Sequence, residues 1–274
     1  MEHIYNKNNR VFSIEDFQHP FGKQSIEKVT SFSAFNKILA FISEKSIEKS
    51  YHLMNDSSLL KISREMSPKI FSMMDEAIQM FDVSEAPEVY IERSYDLKVL
   101  LDGIESPFLV FTTSVLEQYD DSMLWPLIAS EIAGIKTQFA EIKFVDKVLK
   151  MFKGTFPFVI DIGLTLALND WYRCTAYTYD RAFLLASENF ELTAKHILFG
   201  EVDSTTLDKL HLDQQDNDYY KQSKEFLERS GRAGVYQKIT TVFSRSQWAA
   251  SRYIELYNWY FTGKYDEVVE RSMK

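Results

Sequence analysis

Apolar residues recur at helical spacing over residues 25–44, where Ile26, Val29, Phe32, Ile38, Phe41 and Ile42 fall on one face. The stretch MSPKIFSMMDEAIQMF (66–81) repeats the pattern with Ile70, Met74, Ile78 and Phe81 in one stripe. Its start is marked twice, by Ser67 as a cap and by Pro68 at the first helical position, where a missing N–H costs nothing. Between 88 and 113 the period changes. EVYIE, LKVLL and PFLVFTT are short β-rich runs separated by RSYD and DGIES, which predicts a small three- or four-stranded sheet.

Helices then resume. Asp120 or Asp121 caps a helix expected to run to about 149, with Pro126 tolerated near its first turn. A second helix is expected over 157–188, interrupted near Asn169. After the polar stretch HLDQQDNDYY (211–220), two more close the chain, the last over about 245–261. The order predicts a mostly helical α+β fold. Residues 1–85 read as an N-terminal helical extension and 86–274 as the main domain, the two forming one unit.

Composition narrows the class. The chain of 274 residues is 45% hydrophobic and 26% charged, enough for a sizeable core. Nine Gly and six Pro are few for this length, which counts against an all-β or loop-dominated fold. A net charge of −9 gives no clustered basic footprint for phosphates, so nucleic acid is excluded as a partner. Cys174 is the only cysteine, so no intrachain disulfide forms and a reducing compartment is expected. The N-terminus lacks the apolar stretch of a signal peptide. FPFVIDIGLTLAL (156–168) is shorter than the ~20 residues of a membrane span and carries Asp161. It reads as a buried helix, and a cytoplasmic location without an integral membrane segment is expected.

The candidate chemistry lies in LIASEIAGIKTQF (127–139). On a helix, Ser130 and Gly134 stand one turn apart on one face, with Glu131 beside them. His at both positions would give HEIAH, in which two imidazoles hold zinc and the Glu takes a proton from metal-bound water. Three further segments stand in order around it: PFLVFTTSVLEQYDD (107–121), TAYTYDRAFLL (175–185), and a C-terminal register of Arg252, Glu255, Leu256, Trp259, Gly263 and Tyr265. Together they resemble the M48 metallopeptidases, in particular soluble bacterial members of this length, over nearly the whole chain. The family shows PFVVLTTGLLELLD, LAHELGHIK, AEYSADRAGLL and LRAKELLEWAQSGEY in these places.

The resemblance implies a gluzincin fold and a lost metal site. Carried over residue by residue, the three zinc ligands become Ser130, Gly134 and Ala176, leaving a hydroxyl, a hydrogen and a methyl. No zinc or other cofactor is expected. Glu131 retains the general-base position, but without zinc to lower the pKa of water a lone carboxylate is a poor hydrolase. Asp180 and Arg181 match the family's Asp-Arg pair and are expected to serve as a structural ion pair or helix–helix contact. The His-Pro pair beside the family's cleft corresponds to Ser246-Gln247, and the Asn-Ala pair of its edge strand to Lys98-Val99.

The expectation is therefore a pseudopeptidase that binds an unidentified peptide or protein partner without cutting it. The binding face would comprise Lys98, Val99, Leu100, Ser130, Glu131, Gly134, Ala176, Tyr177, Asp180 and Ser246, with the partner paired along the edge strand around Lys98 to Leu101. The space emptied at Gly134 and Ala176 could admit a partner side chain or a neighbouring ring such as Tyr177 or Tyr179. The alternative is an enzyme with replaced chemistry, or a Glu131/Asp180 pair holding a hard cation such as Mg²⁺. No two of the five histidines are three or four residues apart, although His196 could approach the cleft. Cys174 reads as an inert buried thiol, and the rings of YIELYNWYF (253–261) as core.

Overall fold

A computed structural model describes residues 5–6, 8–152, 162–198, 211–212, 214–231 and 248–272. Four helices lead: α1 (Ile14–Phe17), α2 (Pro20–Thr30), α3 (Ser33–Glu44) and α4 (Ile47–Ser58). The single helix expected over 25–44 is thus two. At the break, Thr30 Oγ1 donates to the Ile26 carbonyl and Ser31 Oγ to that of Lys28, so hydroxyls compete for the carbonyls that would carry the helix onward. Phe32 then turns extended.

The strand β1 (Leu60–Lys61) precedes α5 (Pro68–Met80), which begins at the predicted proline, although the Ser67 side chain makes no capping bond. The three predicted strands follow as β2 (Glu88–Glu92), β3 (Val99–Asp102) and β4 (Phe108–Thr112). With β1 they form a mixed sheet in the order β1-β2-β4-β3. β2 runs parallel to β4, and β3 pairs antiparallel with β4 through Val99↔Phe111 and Leu101↔Leu109. β4 is central and buried throughout, so its sequence is a continuous apolar run; β3 forms one open edge.

Beyond the sheet come α6 (Thr113–Gln118), α7 (Asp121–Ile135), α8 (Phe139–Met151), α9 (Ile162–Ser187), α10 (Phe190–Leu198), α11 (Asp218–Gly231), α12 (Ala249–Phe261) and α13 (Lys264–Ser272). Asp120 caps α7 by accepting from the Met123 N–H. The helix expected to reach 149 instead ends at Ile135. Gln138 takes the left-handed conformation, and Thr137 Oγ1 donates to the Gly134 carbonyl, so the chain turns before α8. The interruption expected near Asn169 is absent. Asn169 is buried in the unbroken α9, which packs on α7 and α2. Of the 156–168 run, 156–161 lie outside the described residues, while Leu164, Ala167 and Leu168 are buried. The last expected helix starts at Ala249, 245–247 being outside the described residues, and α13 is an addition to it. Gly263, with φ +82°, separates the two.

The first 85 residues share both main cores. Phe12 and Phe17 pack on Phe81 and join one cluster with Met73, Leu101, Ile128 and Phe183. Ile26, Val29 and Ile38 join a second with Phe139, Ile142, Val145 and Trp171. Tyr253, Leu256, Tyr257 and Trp259 are buried, as the helical spacing of 253–261 requires. Among the described residues no helix is long and apolar enough to cross a membrane.

Candidate functional site

A cavity of about 550 Å³ lies where β3, α7 and α9 meet, with α8, α10 and α12 completing its wall. α7 brings Ser130 and Glu131, α9 brings Ala176 and Tyr179, and Lys98, Val99 and Leu100 come from β3 and the residue before it. Six of the ten residues expected at the binding face therefore line one space.

Glu131 is the centre of the arrangement. Its Oε2 accepts from the Leu101 N–H at 3.1 Å, and its carboxylate also receives the Tyr179 hydroxyl. Lys143, from α8, donates to the Leu101 carbonyl at 2.7 Å and sits close enough to attract the carboxylate. Burial nevertheless dominates and pushes the Glu131 carboxyl up to about 6, against the pull of Lys143 and the two hydrogen bonds. Burial and the neighbouring carboxylate raise the Tyr179 phenol well above its usual range.

Gly134 does not line the cavity. A Cβ built there would stand 2.5 Å from Tyr179 Oη and 3.2 Å from Leu101 Cδ2. The Tyr179 ring, stacked on Phe139 at 5.3 Å, thus occupies the space beside the glycine. Of the two rings that could have entered, Tyr179 does so. Tyr177 packs against His19 at 5.0 Å and bonds Ser251, with its phenol pushed up to about 12 mainly by burial.

The other expected residues have local partners. Ser130 Oγ donates to the Leu127 carbonyl at 2.9 Å, and Lys98 Nζ reaches Asp96. Asp180, 2% exposed, accepts two bonds from Arg252: Nε to Oδ2 at 3.0 Å and Nη2 to Oδ1 at 2.5 Å. A Glu131/Asp180 cation pair is therefore not assembled, since Asp180 is fully engaged by a guanidinium. Arg181 lies over the Trp259 ring, with burial lowering it to about 10. Ser246 lies outside the described residues. Among the described residues no group of three His, Cys, Asp or Glu side chains is placed to hold a metal ion.

His196 does reach the cavity wall, where it stacks flat on Phe183 at 4.4 Å. Burial, then the Arg252 charge, lower it to about 3, so it is a neutral ring at physiological pH. Cys174 has its thiol pushed up to about 11, chiefly by burial. The His19 ring on the same side has both nitrogens engaged, Nδ1 by the Phe21 N–H and Nε2 by Glu255. Neither can activate a thiol.

Lys143, Thr175, Tyr172 and Arg252 also face the site and were not anticipated in that role. For Lys143 no signal existed: it is one of three lysines, with Lys147 and Lys150, on an amphipathic helix. The expected partner-pairing edge is narrower than Lys98 to Leu101, because Glu131 and Lys143 already bond the outward backbone of Leu101. Compared with protein-family models, with curated proteins and with solved structures, the chain finds no match.

Proposed function

We propose that the chain is a metal-free, M48-like pseudopeptidase that binds a peptide or protein segment in the cavity between β3, α7 and α9. The observation that carries this is the engagement of Glu131. In a zinc peptidase this carboxylate faces metal-bound water, whereas here it accepts from the Leu101 N–H and the Tyr179 hydroxyl, which hold it against the edge strand. The cavity falls within the ~300–1,000 Å³ of small-ligand pockets and is walled by Leu127, Phe139, Trp171 and Tyr179, which suits an inserted apolar side chain.

A second reading has one observation in its favour. A carboxyl held at about 6 beside a cavity is suited to passing protons near neutral pH, so a different reaction could use Glu131. One experiment separates the two. A random peptide library is selected on the immobilised protein, and the selected peptides are tested on Ala176→Leu, which narrows the cavity. Loss of binding with an unchanged unfolding midpoint supports the pseudopeptidase. Stoichiometric zinc after desalting, or hydrolysis of a denatured protein that disappears in Glu131→Gln, overturns it.

A further inference from the structure

The backbone of β3 can be accounted for residue by residue. The Thr112 N–H donates to the Lys98 carbonyl, and Leu100 lies opposite Val110, so these two residues bond β4. Alternation along an antiparallel strand then turns the N–H and C=O of Val99 and Leu101 outward. At Leu101 both are taken, by Glu131 and Lys143. At Val99 neither has a partner among the described residues, although Val99 is 3% exposed and lines the cavity. More than ~90% of buried backbone polar groups are paired in native proteins, so this wall lacks one donor and one acceptor.

Resting on the peptide-binding reading above, we propose that the cavity takes the N-terminal residue of a polypeptide. The α-ammonium lies between the Val99 carbonyl and the Glu131 carboxylate, the first carbonyl accepts from the Val99 N–H, and the first side chain enters among Phe139, Trp171 and Tyr179. Two features carry this. The first is length: because Leu101 is already bonded, an incoming strand cannot continue past Val99 in that direction and must end there. The second is direction. Approached from Val99, the first blocking group is Glu131 at the Leu101 N–H, and Lys143 lies beyond it at the carbonyl. An antiparallel chain ends at that point with its amino group, which a carboxylate attracts. A parallel chain would end there with its own carboxylate, which Glu131 repels. Lys143 lies farther along the strand from Val99, at the Leu101 carbonyl, so the end of an incoming chain meets the carboxylate before the ammonium.

The test uses Leu-Ala-Ala-Ala and Phe-Ala-Ala-Ala as C-terminal amides, each with a free and an acetylated N-terminus, titrated calorimetrically into the full chain. The free forms are expected to bind at least about tenfold tighter, and Glu131→Gln to bring that ratio to within about twofold. Equal binding of free and acetylated forms overturns the N-terminal assignment and leaves peptide binding standing. A tenfold preference that survives Glu131→Gln overturns the role given to Glu131. Absence of binding by every peptide overturns both proposals. The comparison of free and acetylated peptides on the unmodified chain needs no variant, and the unfolding midpoint of Glu131→Gln shows whether that variant is folded.

Discussion

Replacing Gly134 with Ala tests the packing at the centre of the site. In an ordinary helix this change stabilises by up to about 1 kcal/mol, because glycine loses more backbone freedom on folding. Here the new methyl would stand 2.5 Å from Tyr179 Oη, 3.0 Å from Tyr179 Cζ and 3.2 Å from Leu101 Cδ2. Tyr179 cannot retreat freely, since its ring is stacked on Phe139 and its hydroxyl is bonded to Glu131. Overpacking a dense core costs about 1–3 kcal/mol, and weakening a hydrogen bond to a carboxylate adds about 1.5 kcal/mol. The net expectation is a loss of about 1.5–3.5 kcal/mol, opposite in sign to helix propensity.

Urea unfolding measures it as a lower midpoint at constant slope. In a Tyr179→Phe background the closest atom is removed while the ring remains, so the cost of Gly134→Ala should fall by roughly 1 kcal/mol, a coupling that a double-mutant cycle resolves. A higher midpoint for Gly134→Ala, or costs that simply add in the double variant, would refute the claim that Tyr179 fills this space.

Two further outcomes follow from the same contacts. Glu131 titrates near 4.5 when unfolded and at about 6 when folded, so its contribution is fully present below 4.5, is lost as pH rises through 6 and is flat above. Stability relative to Glu131→Gln should therefore fall by about 1–2 kcal/mol between pH 4.5 and 7; parallel pH profiles for the two proteins would contradict the raised carboxyl. Glu48 accepts the backbone N–H groups of Ile104, Glu105 and Ser106, at 2.5, 3.1 and 3.3 Å, and so ties α4 to the turn after β3. Glu48→Ala hands these half-buried and exposed donors to water and should cost about 1–2 kcal/mol, with faster amide exchange confined first to 104–106; unchanged exchange there would show that the turn holds without it.

Local chemistry was legible where a signal and its structure share a few residues. Pro68 opens α5 and Asp120 caps α7 because a missing N–H and a short carboxylate act within one turn. Helical period places Ser130 and Gly134 on one face, yet only Ser130 and its neighbour Glu131 line the cavity, because the Tyr179 ring covers the glycine. The breaks at Thr30–Ser31 and at Gln138 were hidden, since a hydroxyl turning back on its own helix and a left-handed glutamine leave the apolar pattern intact. Gly263 is a legible stop, since its left-handed backbone ends α12 and lets α13 begin at Lys264. The cavity wall was less accessible still. Lys143 reaches Leu101 only because α8 folds back beneath β3, and the entry of Tyr179 rather than Tyr177 is decided by packing on Phe139.

The bonds that Glu131 and Lys143 make to Leu101 also bear on solubility. An open strand edge is a template for other chains, and repeated addition of strands is how sheets grow into aggregates. One edge of this sheet, β1, is only two residues long and carries Lys61; the other is closed at Leu101 by a carboxylate and an ammonium from its own helices. Losing both side chains would join Leu101 to Val99 as a continuous free ladder. Glu131 and Lys143 thus shorten the ladder that another copy of the chain could extend, a service that requires no metal and no substrate.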